Sequence, residues 1–197
     1  MLSIKKMDYK GVFFDLVGYL MISIFLFTAI IFYFTGHLKE LLWFSNHAPL
    51  IIGLALLYRN KFWLTVEVIL GFVPELVWII DFIYSLIYSV PFFGVISYLS
   101  LQSPMHYIIS LQHLMVIPLA VICLWKMGIH KDAFSGAFAQ IAVLWAASYL
   151  VGFSSNTNCV FKACLPILMY PAYFMFYPFL IVGITWVTYR LLLYDLK

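Results

Sequence analysis

Four ionisable side chains are set inside stretches that are otherwise apolar. His47 lies in SNHAPLIIGL (45–54), Glu67 and Glu75 lie in the run 62–82 just before Asp81, and His113 lies in SLQHLMVIPL (110–119). Imidazole and carboxylate together can act as a general base and the group that orients it. The same residue types are also ligands for zinc. Which chemistry they can perform depends on where the chain places them.

The surrounding composition answers part of that. The 197 residues are 65% apolar and 20% aromatic, with only 10% charged, against about 25% in soluble domains. Such a chain cannot face water on all sides, and it reads as one integral-membrane domain over residues 1–197. The formal net charge is +3, with basic residues single or paired at the ends of apolar runs. No basic stripe suits a nucleic acid; membrane lipids are the expected partners.

Apolar runs at about 12–35, 41–58, 62–82, 105–125, 133–152 and 167–189 approach the ~20 residues that a helix needs to cross a bilayer. The fold class is therefore all-α, a polytopic bundle. The first run follows Lys5, Lys6 and Lys10 but is too long for a signal peptide, and no small-x-small cleavage site follows it. It reads as a retained anchor. The segment 83–101 is ambiguous, because Pro91, Gly94 and four serines interrupt it. If it crosses, giving seven spans, basic residues divide evenly between the two sides. If it is re-entrant or lies at the interface, six spans remain and nine basic residues fall inside: Lys5, Lys6, Lys10, Arg59, Lys61, Lys126, Lys131, Arg190 and Lys197. Only Lys39 and Lys162 stay outside. The positive-inside rule selects six spans in the cell (inner) membrane, with both termini cytoplasmic.

That topology places His47, Glu75 and His113 at similar depths, about 9–12 Å below the outer surface at ~1.5 Å per residue. Asp81 sits above them at the rim. Glu67, Gly71, Pro74, Glu75, Trp78 and Asp81 form one stripe of the third span. A shared polar pocket in the outer half, lined by His47, Glu75 and His113, is the expectation. Ser45 lies two residues, about 200° of turn, from His47 and so points away from it. Pro49 near the start of its span marks an irregular helix beginning.

Plainer roles compete with these. Glu67 or Glu75 can be a neutral acid bonded to a carbonyl freed by Pro74, and His113 a helix-to-helix hydrogen bonder. His37, His106 and His130 read as ordinary loop or interfacial histidines. Cys123 reads as an apolar filler, while Cys159 and Cys164, on the outer side, can bridge. No CxxC, HExxH or Gly-rich phosphate loop is present, and the last span holds no lysine for a retinal Schiff base. No cofactor is implied. A metal reading with His47, His113 and Glu75 or Asp81 as ligands lacks a local ligand pair to anchor it.

The stretches WFSNHAPLIIGLALLYR (43–59), PELVWIIDF (74–82), SLQHLMVIPL (110–119), ASYLVG (147–152) and NTNCVF (156–161) resemble a group of uncharacterised bacterial multi-pass membrane proteins. More remotely, the chain is similar to YwaF-like proteins, with Asn158, Phe161 and Pro166 in the spacing of their loop. It is also similar to androgen-induced-type membrane lipid hydrolase/acyltransferase proteins. The second likeness implies a lipid ester hydrolase or acyltransferase with His113 as general base and Ser45 or water as nucleophile. Glu75 would orient the base, Asn158 would stabilise an oxyanion, and His47, Glu67 and Asp81 would contact ligand. The cysteine or threonine nucleophile of those enzymes has no counterpart near SNHAPL. A proton- or cation-coupled transporter or channel using Glu67 and Glu75, and a non-catalytic lipid-binding subunit, stay open beside it.

The charge argument is directly testable. A cysteine placed after Lys197 should react with a membrane-impermeant maleimide only once the cells are opened. Labelling from outside would overturn the six-span arrangement.

Overall fold

The computed structural model describes residues 9–101, 104–151, 158 and 182–191. Their regular structure is entirely helical, with no strand among the described residues. The order is α1 (Tyr9–Thr35), a 3-10 turn (Leu38–Leu42), α2 (Phe44–Leu57), α3 (Lys61–Tyr88) and a second 3-10 turn (Val95–Leu101). Then follow α4 (Pro104–Ser110), a third 3-10 turn (Leu111–Leu114), α5 (Val116–Met127) and α6 (Ala133–Val151). Residues 182–191 are also helical. The proposed bridge between Cys159 and Cys164 lies outside the described residues, as does most of the run 167–189.

Three helical stretches are long and apolar enough to cross a membrane: Gly11–Thr35, Pro104–Met127 and Ala133–Val151. α2 is apolar but shorter. At 28 residues, α3 extends about 42 Å and forms the centre of the bundle. Asn60 caps it, its side-chain oxygen accepting from Phe62 N and Trp63 N at 3.1 and 3.3 Å, the ordinary satisfaction of a helix's first free donors. Leu64 to Gly71 are buried on every face, because α2, α5 and α6 all pack against α3. α1 instead leans on α2 and turns Leu16, Ile30 and Phe34 outward. Such an exposed apolar face is compatible with contact to lipid, where it carries no cost.

Small residues set the crossing of α1 and α2. A Cβ on Gly53 would come within 2.7 Å of Ile22 Cγ1 and 2.8 Å of the Gly18 carbonyl oxygen. A Cβ on Gly18 would meet Leu57 and the Gly53 oxygen at 3.0 and 3.1 Å. Backbones can come this close only where side chains are absent. One end of the same pair carries Arg59, whose guanidinium donates to Asp15 Oδ1 and the Gly11 carbonyl, both at 2.8 Å. Both charged groups are well exposed, so this pair orients the rim and adds little stability.

Two prolines shape the elements that carry the polar residues. Pro118 lacks an N–H, and its ring conflicts with the carbonyl four residues back, at Leu114. The long stretch Pro104–Met127 therefore breaks at Leu111–Leu114, which is wound as a 3-10 turn ending at Met115 with φ −122°. Pro49 likewise leaves the start of α2 tight: the Trp43 carbonyl accepts both Asn46 N at 2.9 Å and His47 N at 3.3 Å.

The segment 83–101 does not continue as one helix. α3 runs to Tyr88, Ser89 turns the chain at φ 60°, Gly94 turns it again at φ 79°, and Val95–Leu101 folds back against α3. Ile96 and Leu99 close an apolar cluster with Trp78 and Phe82.

Replacing Gly53 by valine forces branched carbon into a space already filled by Ile22 and backbone. Its expected cost is about 1–3 kcal/mol, read as a lowered unfolding midpoint in detergent. Leu150→Ala, on an outward side chain 84% exposed, should leave the midpoint near that of the wild type.

Candidate functional site

The break in the Pro104–Met127 stretch turns His113 toward α3. Its Nδ1 lies 2.5 Å from Glu75 Oε2, and the Glu75 carboxyl is nearly buried while the imidazole is 12% exposed. Trp78, one helical turn beyond Glu75, stacks on the imidazole with ring centres 4.5 Å apart and planes 19° apart. Phe82, one turn further, stacks on Trp78 at 5.0 Å. The spacing 75, 78, 82 puts carboxylate and both rings on one face of α3, so a single helix face grips the imidazole at its edge and over its plane.

With Nδ1 facing a carboxylate, the neutral ring carries its proton there and presents Nε2 as the basic nitrogen. No described residue hydrogen-bonds to Nε2. A short bond between a buried carboxylate and an imidazole can fix the tautomer and orientation that a general base requires.

Around the dyad lies a network of neutral groups. Gln112 Nε2 donates to Asn46 Oδ1 at 2.8 Å, and Asn46 Nδ2 donates to the Glu40 carbonyl at 2.8 Å. Trp78 Nε1 donates to the Tyr98 hydroxyl at 3.1 Å, which donates to Ser110 Oγ at 3.2 Å. Ser110 Oγ in turn donates to the His106 carbonyl at 3.0 Å. Burial pushes the Tyr98 phenol above its ordinary range, so it remains a hydroxyl able to donate. None of Asn46, Gln112 or Tyr98 stands out in the sequence, since each is uncharged. Only the reversal at 89–94 and the break at 111–114 bring them together.

Asp81 has no exposed surface and accepts from Phe93 N at 2.6 Å and Ile96 N at 3.0 Å. It holds the fold-back segment down on α3. Glu67, also fully buried, sits two turns before Glu75, where its Oε1 accepts from Gln140 Nε2 of α6 at 2.7 Å. Its Oε2 has no partner among the described residues.

Of His47, Glu75 and His113, expected to line one pocket, the structure brings Glu75 and His113 into contact and leaves His47 apart. His47 Nδ1 donates to the Trp43 carbonyl of its own first turn at 3.0 Å, and its ring meets Phe44 edge-on. It records no contact with Glu75 or His113. The imidazole thus joins Asn46 N and His47 N on the Trp43 carbonyl, which holds the ring against its own first turn. From α2 it is Asn46 that reaches inward. Ser45 makes no side-chain hydrogen bond to His47 or His113 among the described residues. Asn158 Oδ1 accepts from Phe44 N at 2.9 Å, and its Nδ2 donates to the Leu42 carbonyl at 2.7 Å and Ser148 Oγ at 2.9 Å. Both donors of that amide are engaged in tying the start of α2 to α6, so an oxyanion role would require one of those bonds to break.

A cleft of about 360 Å³ lies between the end of α3 and the fold-back segment, and Phe82, Ser85, Ser97, Leu99 and Tyr107 are among its walls. It reaches the stacked rings at Phe82 but includes neither Glu75 nor His113. No protein-family model matches the chain, nor does any curated protein or solved structure.

Asp81→Ala should release the fold-back segment, because two buried backbone donors lose a charged acceptor. Bonds to charged groups contribute roughly 1.5–3 kcal/mol each. The expected readout is new protease cleavage between 89 and 101; an unchanged digestion pattern would show that apolar contacts alone hold the segment.

Proposed function

We propose that this chain is a six-span membrane enzyme acting on a lipid ester, with His113 as general base and Glu75 as the carboxylate that orients it. The observation that carries this reading is the 2.5 Å Glu75–His113 bond with Trp78 stacked against the ring. One ring nitrogen is held by the carboxylate and the ring plane is fixed by Trp78, which leaves Nε2 as the nitrogen that would act as base. In the reaction, Nε2 removes a proton from water or from the hydroxyl of an acceptor lipid. The resulting oxygen attacks the ester carbonyl, and the leaving alkoxide takes the proton back from the imidazolium. This route needs no protein nucleophile, which accords with a Ser45 that makes no bond to either histidine. The cleft at Phe82 offers room for an acyl chain. With nine basic residues inside and two outside, both termini lie in the cytoplasm and the dyad opens to the outer half of the bilayer.

A second reading rests on Glu67, whose buried carboxyl keeps one oxygen unpaired eight residues, about 12 Å, before Glu75 on the same face. Two carboxyls so placed suit proton movement along α3. Acid-driven proton uptake into liposomes that Glu67→Gln and Glu75→Gln each abolish would favour it.

The enzyme reading is tested on protein reconstituted with diacyl lipid vesicles, with release of fatty acid or lysolipid followed by mass spectrometry. Turnover is expected from the wild type and none from His113→Ala. Glu75→Gln should lower kcat by about 10²–10⁴-fold, the range for a general base, while His130→Ala should match the wild type. Equal turnover by wild type and His113→Ala would overturn the proposal.

A further inference from the structure

Away from the dyad, at the other end of the fold-back region, three ligand-type side chains converge from separate elements. His37 follows α1, Glu40 lies in the 3-10 turn Leu38–Leu42, and His106 belongs to α4. One donor atom from each lies within 4.8 Å of the other two, and all three residues are half-buried. This is the one such group of three among the described residues.

The backbone fixes this arrangement. α1 ends in a paired terminal motif: Gly36 N donates to the Tyr33 carbonyl at 3.3 Å and His37 N to the Phe32 carbonyl at 2.8 Å, with Gly36 at φ 75°. That conformation favours glycine and sets the direction in which His37 leaves the helix. The His37 carbonyl then accepts Glu40 N at 2.8 Å, which folds the turn so that the Glu40 carboxylate lies 2.9 Å from His37 Nδ1. Phe32, almost fully buried, lies against the His106 ring at 5.7 Å. The imidazoles of His37 and His106 stand edge to face, ring centres 5.2 Å apart and planes at 85°.

These dimensions suit a metal ion. Zinc–nitrogen bonds of about 2.0–2.1 Å at tetrahedral angles place two ligating ring centres roughly 5 Å apart. Two histidines and one carboxylate form a ligand set of open zinc sites, in which the fourth position is kept for water or a ligand. We propose that His37, Glu40 and His106 bind one divalent ion of the zinc class and thereby tie the polar end of α1 to α4. The site is independent of the Glu75–His113 reading, since it shares no residue with the dyad. Its consequence does reach the dyad, because His106 lies in the first turn of the short helix that leads to the break at Leu111–Leu114.

The test uses the full-length protein in detergent, carried without a polyhistidine tag, stripped with EDTA and dialysed. Isothermal titration with Zn²⁺, and with Co²⁺ followed by its d–d absorption, should give one ion per chain and a tetrahedral or five-coordinate cobalt spectrum. His37→Gln, Glu40→Gln and His106→Ala should each weaken binding by at least about ten-fold, the lower bound for losing even an outer partner of a metal site. His130→Ala, which removes a histidine beside Asp132 outside the proposed site, should bind as the wild type does. Zn²⁺ should also raise the unfolding midpoint of the wild type and not of Glu40→Gln. Glu40→Gln keeps the shape of the turn, so the comparison stands even where His106→Ala folds poorly. Absence of stoichiometric binding, or wild-type affinity in Glu40→Gln, would overturn the proposal.

Discussion

The bond between Glu75 and His113 answers a constraint that governs the whole bundle. A charged group taken into the apolar core costs roughly 2.5–3.5 kcal/mol on insertion scales, and an unpaired polar group costs a comparable amount. Each such group on α3 must therefore find a partner on another element, and the partners dictate the packing. Glu67 reaches Gln140 on α6, Glu75 reaches His113 at the break before α5, and Asp81 reaches the backbone of the fold-back segment. Spaced along one face, the three carboxyls dock three different parts of the chain onto one helix. The apolar contacts around them fill space but would tolerate other registers; the hydrogen bonds would not.

Irregular backbone supplies what those carboxyls need. A continuous helix through Pro104–Met127 would bond its own peptide groups and carry Gln112 and His113 on a regular spiral. The proline at 118 interrupts it, and the resulting turn directs Gln112 to Asn46 and His113 to Glu75. Broken helices of this kind lie deep in a membrane only where protein or a polar cavity covers the exposed backbone. Here the cover comes from α3 on one side and the fold-back segment on the other. The same logic gives the His37–Glu40–His106 group its form, since the glycine-terminated end of α1 aims one histidine at another that the sequence separates by almost 70 residues.

Much of this was legible from residue order alone. Composition settled the helical, membrane-compatible class, because so little charge cannot cover a water-facing surface. Proline, glycine and serine in 83–101 marked the segment that does not run on as a helix. The stripe of acidic residues on the third apolar run follows from helical periodicity, and counting residues set His47, Glu75 and His113 at one expected depth, of which the contact of Glu75 with His113 is what the structure shows. These features are local or periodic, and the chain carries them wherever it folds.

What only the tertiary structure decided is which of several polar neighbours would meet. Residues 45–47 offer a serine, an asparagine and a histidine within three positions, and counting cannot say which faces inward, because Pro49 disturbs the turn that fixes their phase. The Trp43 carbonyl captures His47, and Asn46 takes the inward place. His37 and His106, unremarkable where they stand in the sequence, become neighbours only when α4 lies against the end of α1. Pairing of this kind depends on helix crossing and on the direction in which each broken end leaves its helix. Both are set by contacts between distant segments, and neither leaves a local trace in the sequence.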